Sequence, residues 1–134
     1  MLRSVAGAAE SNVLLKTMRP SGIHHVAICV RDADEAVTFY TGVLGLTVLE
    51  RPDFGFGGYW LDAGGQQVHL MQSEGKRSGG DHFAIRVDDL ESAVADIRAT
   101  GYKVNTIDHM VGAGRQAFLH DPSGNFIELN QPDA

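Results

Sequence analysis

Apolar side chains recur at two spacings along this chain, and the order of those spacings runs twice. Residues 23–30 form an apolar run of strand length between Pro20-Ser21-Gly22 and Arg31-Asp32. Alternation puts His24, Val26, Ile28 and Val30 on one face, predicted to meet a helix, and Ile23, His25, Ala27 and Cys29 on the other. Asp32 then stands at a helix-capping position with Glu35 three residues on, and Ala36, Val37, Phe39, Tyr40, Val43 and Leu44 recur at helical spacing until Gly45 ends the run. Strands are predicted at 46–50, 59–62 and 66–72. A Gly-rich loop after Arg51-Pro52-Asp53 and the turn Ala63-Gly64-Gly65 separate them. The first unit is β-α-β-β-β.

A polar linker at 73–80 leads into the same order again. A strand is predicted at 82–87, a helix at 89–100 stopped by Gly101, and strands at 103–107, 116–120 and 125–131, the last two joined by the turn Asp121-Pro122-Ser123-Gly124. The stretch from Asp81 to Asp89 repeats the pattern from His24 to Asp32, 57 residues apart: histidine, an apolar run with Ala and Ile in register, Val, then an acidic helix start. Later in each unit Asp62 matches Asp121, Gly65 matches Gly124, Leu70 matches Leu129 and Gln72 matches Gln131, at an offset of 59. The expected fold class is therefore α+β, with two βαβββ modules at 22–73 and 81–131 in one domain at 21–132. A flexible tail is expected at 1–20, where no period is evident; its basic residues resemble an organellar targeting segment only weakly.

Length and charge narrow the picture. At 134 residues the chain suffices for one compact domain and is too short for two. No apolar run approaches the roughly 20 residues of a membrane-spanning helix. A formal charge of -6 argues against a nucleic-acid partner, so the expected partner is a small molecule, with neither nucleic acid nor membrane. The single cysteine, Cys29, excludes an internal disulfide and fits a reducing, cytoplasmic setting.

The repeat also selects candidate chemistry. It aligns His25 with His82 and His69 with Glu128, placing one potential metal ligand on the first and last strand of each unit. A lone strand histidine is usually a hydrogen-bonded core or surface residue, but here each ligand has an equivalent in the other unit. Imidazole nitrogens and a carboxylate suit one divalent ion such as Ni, Zn, Co, Mn or Fe(II), and leave positions open for water or substrate. Cys29, Gln67, Met71, Arg86, Phe126 and Asn130 share those strand faces and are expected to line the substrate pocket. His24 falls on the opposite face, and His109 and His120 fall at loop or strand-end positions, so none of the three is expected to ligate. Trp60, Tyr59 and Phe118 read as core or pocket lining, and residues 121–124 as a turn that carries structure only.

His25-Val26-Ala27-Ile28 before an acidic helix ending in Phe39-Tyr40, then Leu44-Gly45-Leu46, and later Asp121-Pro122-Ser123-Gly124-Asn125-Phe126-Ile127-Glu128-Leu129, resemble the two ends of the vicinal oxygen chelate superfamily. That group holds glyoxalase I, bleomycin resistance proteins, thiol-transferring fosfomycin resistance enzymes, methylmalonyl-CoA epimerase and extradiol dioxygenases. The resemblance implies a cupped mixed sheet around a divalent metal, and a homodimer; the cup is then either closed within one chain or shared, with His25 and His69 of one chain meeting His82 and Glu128 of the other. It points most closely to a glyoxalase I-like lyase or isomerase that stabilises an enediolate on a small oxygenated substrate, with Glu128 as the catalytic base.

Departures mark the alternatives. His69 replaces the usual glutamate, Cys29 replaces a common arginine, and Ser78-Gly79-Gly80 replaces the residues expected to meet glutathione. Arg86 or Arg115 is then the candidate for an anionic substrate group. An extradiol Fe(II) dioxygenase would use two histidines and Glu128, though Phe118 stands near its usual tyrosine. A non-catalytic antibiotic-binding protein would use the same cup without a catalytic metal.

Overall fold

The computed structural model describes residues 19, 21–74, 81–109 and 111–133. The tail expected at 1–20, apart from Arg19, lies outside the described residues, as do Ser78, Gly79 and Gly80 of the linker. The chain runs β1 (His25–Val30), α1 (Ala33–Gly42), β2 (Thr47–Leu49), β3 (Gly58–Asp62), β4 (Gln67–Gln72), β5 (His82–Arg86), α2 (Leu90–Ala99), β6 (Asn105–Thr106), β7 (Arg115–His120) and β8 (Phe126–Gln131). These build two four-stranded mixed sheets of the same order, β1-β4-β3-β2 and β5-β8-β7-β6. In each, the first strand runs parallel to the last, and the remaining pairs are antiparallel.

The helices begin where the sequence supplies donors' partners. The Asp32 carboxylate accepts from the backbone N–H groups of Asp34 and Glu35, both at 3.0 Å, and that of Asp89 accepts from Ser92 at 3.2 Å. A second device is repeated as well. Gln72 Oε1, at the end of β4, accepts the Ala33 N–H at 2.9 Å, and Gln131 Oε1, at the end of β8, accepts the Leu90 N–H at 2.8 Å. Each module's last strand thus fixes the start of its own helix.

Each sheet turns one face to its helix. Leu61, Val68 and Leu70 meet Ala33, Ala36, Phe39 and Tyr40, while Ala117, Leu119, Ile127 and Leu129 meet Leu90, Val94 and Ile97; all belong to one buried apolar cluster. Full burial of one such large side chain stabilises by about 1.5–3 kcal/mol. Phe39 also packs on Tyr102 of the second module, with ring centroids 4.9 Å apart.

The turn at 121–124 does more than reverse the chain. Asp121 is 4% exposed; its Oδ1 accepts from Ser123 N and Asn125 N, and its Oδ2 from the Tyr40 hydroxyl at 2.9 Å. Burial, then the neighbouring Asp121 charge and hydrogen bond, push the Tyr40 hydroxyl well above its ordinary pKa, so it stays a donor. Asn125 Nδ2 donates to Cys29 O, the Arg31 N–H to Ser123 Oγ, and the Arg31 guanidinium to Pro122 O. The turn clamps the second module onto β1 and α1.

Most elements match expectation to within a residue at each end, and two, β1 and β6, start two residues late. β1 starts at His25, with Ile23 left 75% exposed ahead of it. β6 shrinks to Asn105–Thr106 because Val104 turns into the core and its carbonyl accepts from Arg98 Nη2 of α2 at 2.8 Å, which removes it from the strand ladder.

Candidate metal centre

The faces turned away from the helices carry the candidate residues, and the register explains how they meet. In the first sheet His25 pairs with Gln67 and Ala27 with His69; in the second His82 pairs with Phe126 and Ala84 with Glu128. In both modules, therefore, the last-strand donor lies opposite an alanine, whose small side chain lets the first-strand histidine reach across diagonally.

In the first module His25 and His69 stack, with centroids 3.9 Å apart and 13° between planes. Trp60, directly opposite His69 in the β3–β4 register, stacks on its other face at 4.4 Å and 9°. His69 is consequently 8% exposed, and its Nε2 lies 2.8 Å from Gln67 Oε1. Burial lowers its pKa first, and the charges of His25, His24 and Arg51 add to this, so it is held neutral with a lone pair available to a metal. His24 does not sit on the opposite face. It precedes β1, so strand alternation does not govern it, and its Nδ1 comes within 2.9 Å of His25 Nδ1.

In the second module His82 Nε2 lies 3.1 Å from Glu128 Oε1. Glu128 is 8% exposed, and its Oε2 accepts from Asn130 Nδ2 at 2.8 Å; the same amide donates to Ala113 O. Phe118 and Phe126 stack at 5.2 Å and present their edges to the His82 ring at 6.1 and 5.5 Å. His120 packs on Phe126, and His109 pairs with Asp133 at the surface, so neither joins the centre.

The second module's pair has the spacing of two ligands on one divalent ion. Two donor atoms each about 2.1 Å from one ion and at about 90° to each other lie about 3 Å apart, close to the 3.1 Å between His82 Nε2 and Glu128 Oε1. The structure brings the four expected ligands together as two pairs, one per module. Among the described residues, no group of three or more histidine, cysteine or acidic donors converges. His25 and His82 both line a cleft of about 600 Å³ between β1 and β5, together with Gln67 and Ala84.

The remaining pocket candidates divide. Cys29 and Met71 are paired in register on the first face; Arg86 shares the second with His82, paired with Asn130. Arg115 does not face the site: it has the parity of Ala117 and Leu119 and lines a shallow cleft beside Leu90, Val94 and Ile107 on the helix side. Sequence reasoning placed Trp60 only as lining and passed over Arg51. The signal for Trp60 was the tight turn at 63–65, which sets Asp62 opposite Gln67 and hence Trp60 opposite His69.

Comparison with known proteins agrees with this architecture. The family model described as Glyoxalase/Bleomycin resistance protein/Dioxygenase superfamily matches residues 22–129. The chain belongs to that superfamily. It is 32% identical over 123 residues to a probable lactoylglutathione lyase of Vibrio cholerae, covering 81% of this chain and 89% of the relative. It is 29% identical over 130 residues to the human mitochondrial methylmalonyl-CoA epimerase, covering 81% of this chain and 73% of that protein. Among solved structures, the antibiotic binding protein TnmS3 from Streptomyces sp. CB03234 superposes with a TM-score of 0.73 at 27% identity, over 87% of this chain and all of that one. No helix among the described residues is long and apolar enough to cross a membrane.

Proposed function

We propose that the protein is a divalent-metal-dependent lyase or isomerase of glyoxalase I type, acting on a small oxygenated substrate, with His25, His69, His82 and Glu128 as the metal ligands. The observation that carries this reading is the pseudo-symmetric placement of two donor pairs, with the last-strand donor opposite an alanine in each sheet. A bound divalent ion would polarise a substrate carbonyl and so acidify the neighbouring C–H bond. Glu128 takes that proton and returns it to the adjacent carbon. Its Oε2 is fixed by Asn130, which leaves Oε1 as the oxygen beside His82. Glu128 is 8% exposed, with Phe118 opposite it in the β7–β8 register, so little water reaches that carboxylate.

The two pairs lie on separate sheets with His25, Ala27, His82 and Ala84 exposed. In this reading a second copy of the chain completes each cup, so that a half-site of one protomer meets the other half-site of its partner. The similarity to a lactoylglutathione lyase supports the reaction class. A binding role is the second reading, favoured by the Trp60–His69–His25 stack and by the similarity to an antibiotic binding protein.

The test is metal analysis of the purified protein beside a His82→Ala, Glu128→Ala double variant, with hemithioacetal isomerisation assayed on both. About one nickel, zinc or cobalt per chain, lost in the variant together with activity, is the expected result. Iron(II) with ring-cleaving activity would move the dioxygenase to first place. Metal absent from the wild type even after addition of each ion would overturn the catalytic reading in favour of binding.

A further inference from the structure

Arg51 follows β2 and lies over the start of β3. A Cβ built on Gly58 would collide with Leu70 O and stand 3.0 Å from Arg51 Nη2 and 3.2 Å from its Cζ, so the bare glycine admits the β4 backbone first and also leaves the guanidinium packed close over it. Phe54 and Phe56 stack with centroids 6.1 Å apart and both lie beside it, with Cζ 5.0 and 5.2 Å from their ring centroids. Both rings are about half exposed, and Phe54 reaches Trp60 at 5.9 Å. Asp53 Oδ1 accepts the Gly55 N–H and is thereby engaged within the loop.

One Arg51 nitrogen, Nη2, donates to Phe56 O at 3.1 Å. No carboxylate pairs with Arg51 among the described residues, in a chain whose formal charge is -6. A cation resting against two aromatic rings and left without a counter-charge has donors to offer to a ligand. Its place relative to the candidate centre follows from register. Gly58 opposes Met71, and Trp60 opposes His69, two residues further along β3. Two strand residues span about 7 Å.

We propose that Arg51 is the residue that recognises a carboxylate on the substrate, over a β3 position about 7 Å along the strand from Trp60, which faces His69, with Phe54 and Phe56 forming the aromatic wall of the slot beside it. The proposal rests on the reading that the His25–His69 face belongs to the reaction centre. A planar monoanion suits one guanidinium resting against aromatic rings, because the fork donates two parallel hydrogen bonds in its own plane. The substrate is then a carboxylic acid whose acid group is separated by a few bonds from the oxygens presented to the metal. Module two offers no equivalent: the position related to Arg51 by the offset of 59 is Met110.

Trp60, the single tryptophan of the chain, serves as a fluorescence reporter beside the slot. The probes are glutaric acid monohydroxamate, which carries a chelating group and a carboxylate a few bonds apart, and its methyl ester. Both are titrated into metal-loaded and metal-free wild type, Arg51→Met and Arg51→Lys. Wild type is expected to prefer the acid over the ester by about tenfold or more, a ratio that falls to within about twofold in Arg51→Met and is partly kept in Arg51→Lys. Unchanged ester affinity in Arg51→Met shows that the fold and slot persist.

Equal affinity for acid and ester in the wild type, a tenfold preference surviving in Arg51→Met, or no binding of either probe at millimolar concentration would overturn the proposal. The metal reading fails separately, if loading with each ion leaves both affinities unchanged.

Discussion

The two modules share register, capping and turn positions, yet they differ in what surrounds their donor pairs. In the first, His69 lies between Trp60 and His25, and an unpaired-by-carboxylate arginine lies on the same sheet. In the second, a carboxylate takes the place of His69, its two oxygens addressed by His82 and Asn130. The difference teaches that one scaffold can separate tasks. The aromatic, cationic half is suited to hold a ligand, and the half with a carboxylate is suited to move a proton.

The sharpest way to break that division is to exchange amide for acid or imidazole at the equivalent positions. Glu128→Gln is expected to lower kcat by about 10²–10⁴-fold, the usual contribution of a positioned base. His69→Gln is expected instead to weaken metal binding, by at least the roughly 10–100-fold lost with outer-shell partners, with kcat of the loaded enzyme far less affected. Metal titration and steady-state kinetics on both variants check this; a larger kcat loss for His69→Gln would reverse the assignment of roles.

A second contrast lies in the equivalent aspartates, Asp62 and Asp121. Asp62 only accepts from Gly64 and Gly65 in its own turn, whereas Asp121 is buried and holds Tyr40 of the other module. Tyr40→Phe is expected to cost about 1–3 kcal/mol by removing a buried donor to a charged acceptor, read by denaturant unfolding. The same hydroxyl predicts an alkaline effect. Its folded pKa is raised above the ordinary value near 10, so its stabilisation is complete below about pH 10 and is lost progressively above it as the unfolded chain ionises first. The wild type should therefore lose stability above about pH 10 more steeply than Tyr40→Phe.

The smallest difference is in the helix caps. Asp32 accepts two backbone N–H groups and Asp89 one. Asp32→Ala is expected to cost about 1 kcal/mol and Asp89→Ala less, measured as shifts in unfolding midpoint; equal costs would mean that the second bond adds nothing.

Much of this was legible in the sequence because its signals are local. Strand alternation, the capping aspartates and the turn at 63–65 depend on neighbours a few residues apart, and the offset of 59 ties His69 to Glu128 without any fold in hand. Those features determined two βαβββ modules and four candidate ligands, each on a strand face turned away from its helix. Tertiary structure decided the rest, because it concerns contacts between residues far apart in the chain. The Asp121 clamp joins partners 81 residues apart. His24 turned beside His25 once the strand began two residues later than expected, Arg115 took the helix side, and Val104 left the β6 ladder when α2 claimed its carbonyl. Arg51 came to matter only when folding laid it on a glycine whose missing side chain no pattern of hydrophobicity records.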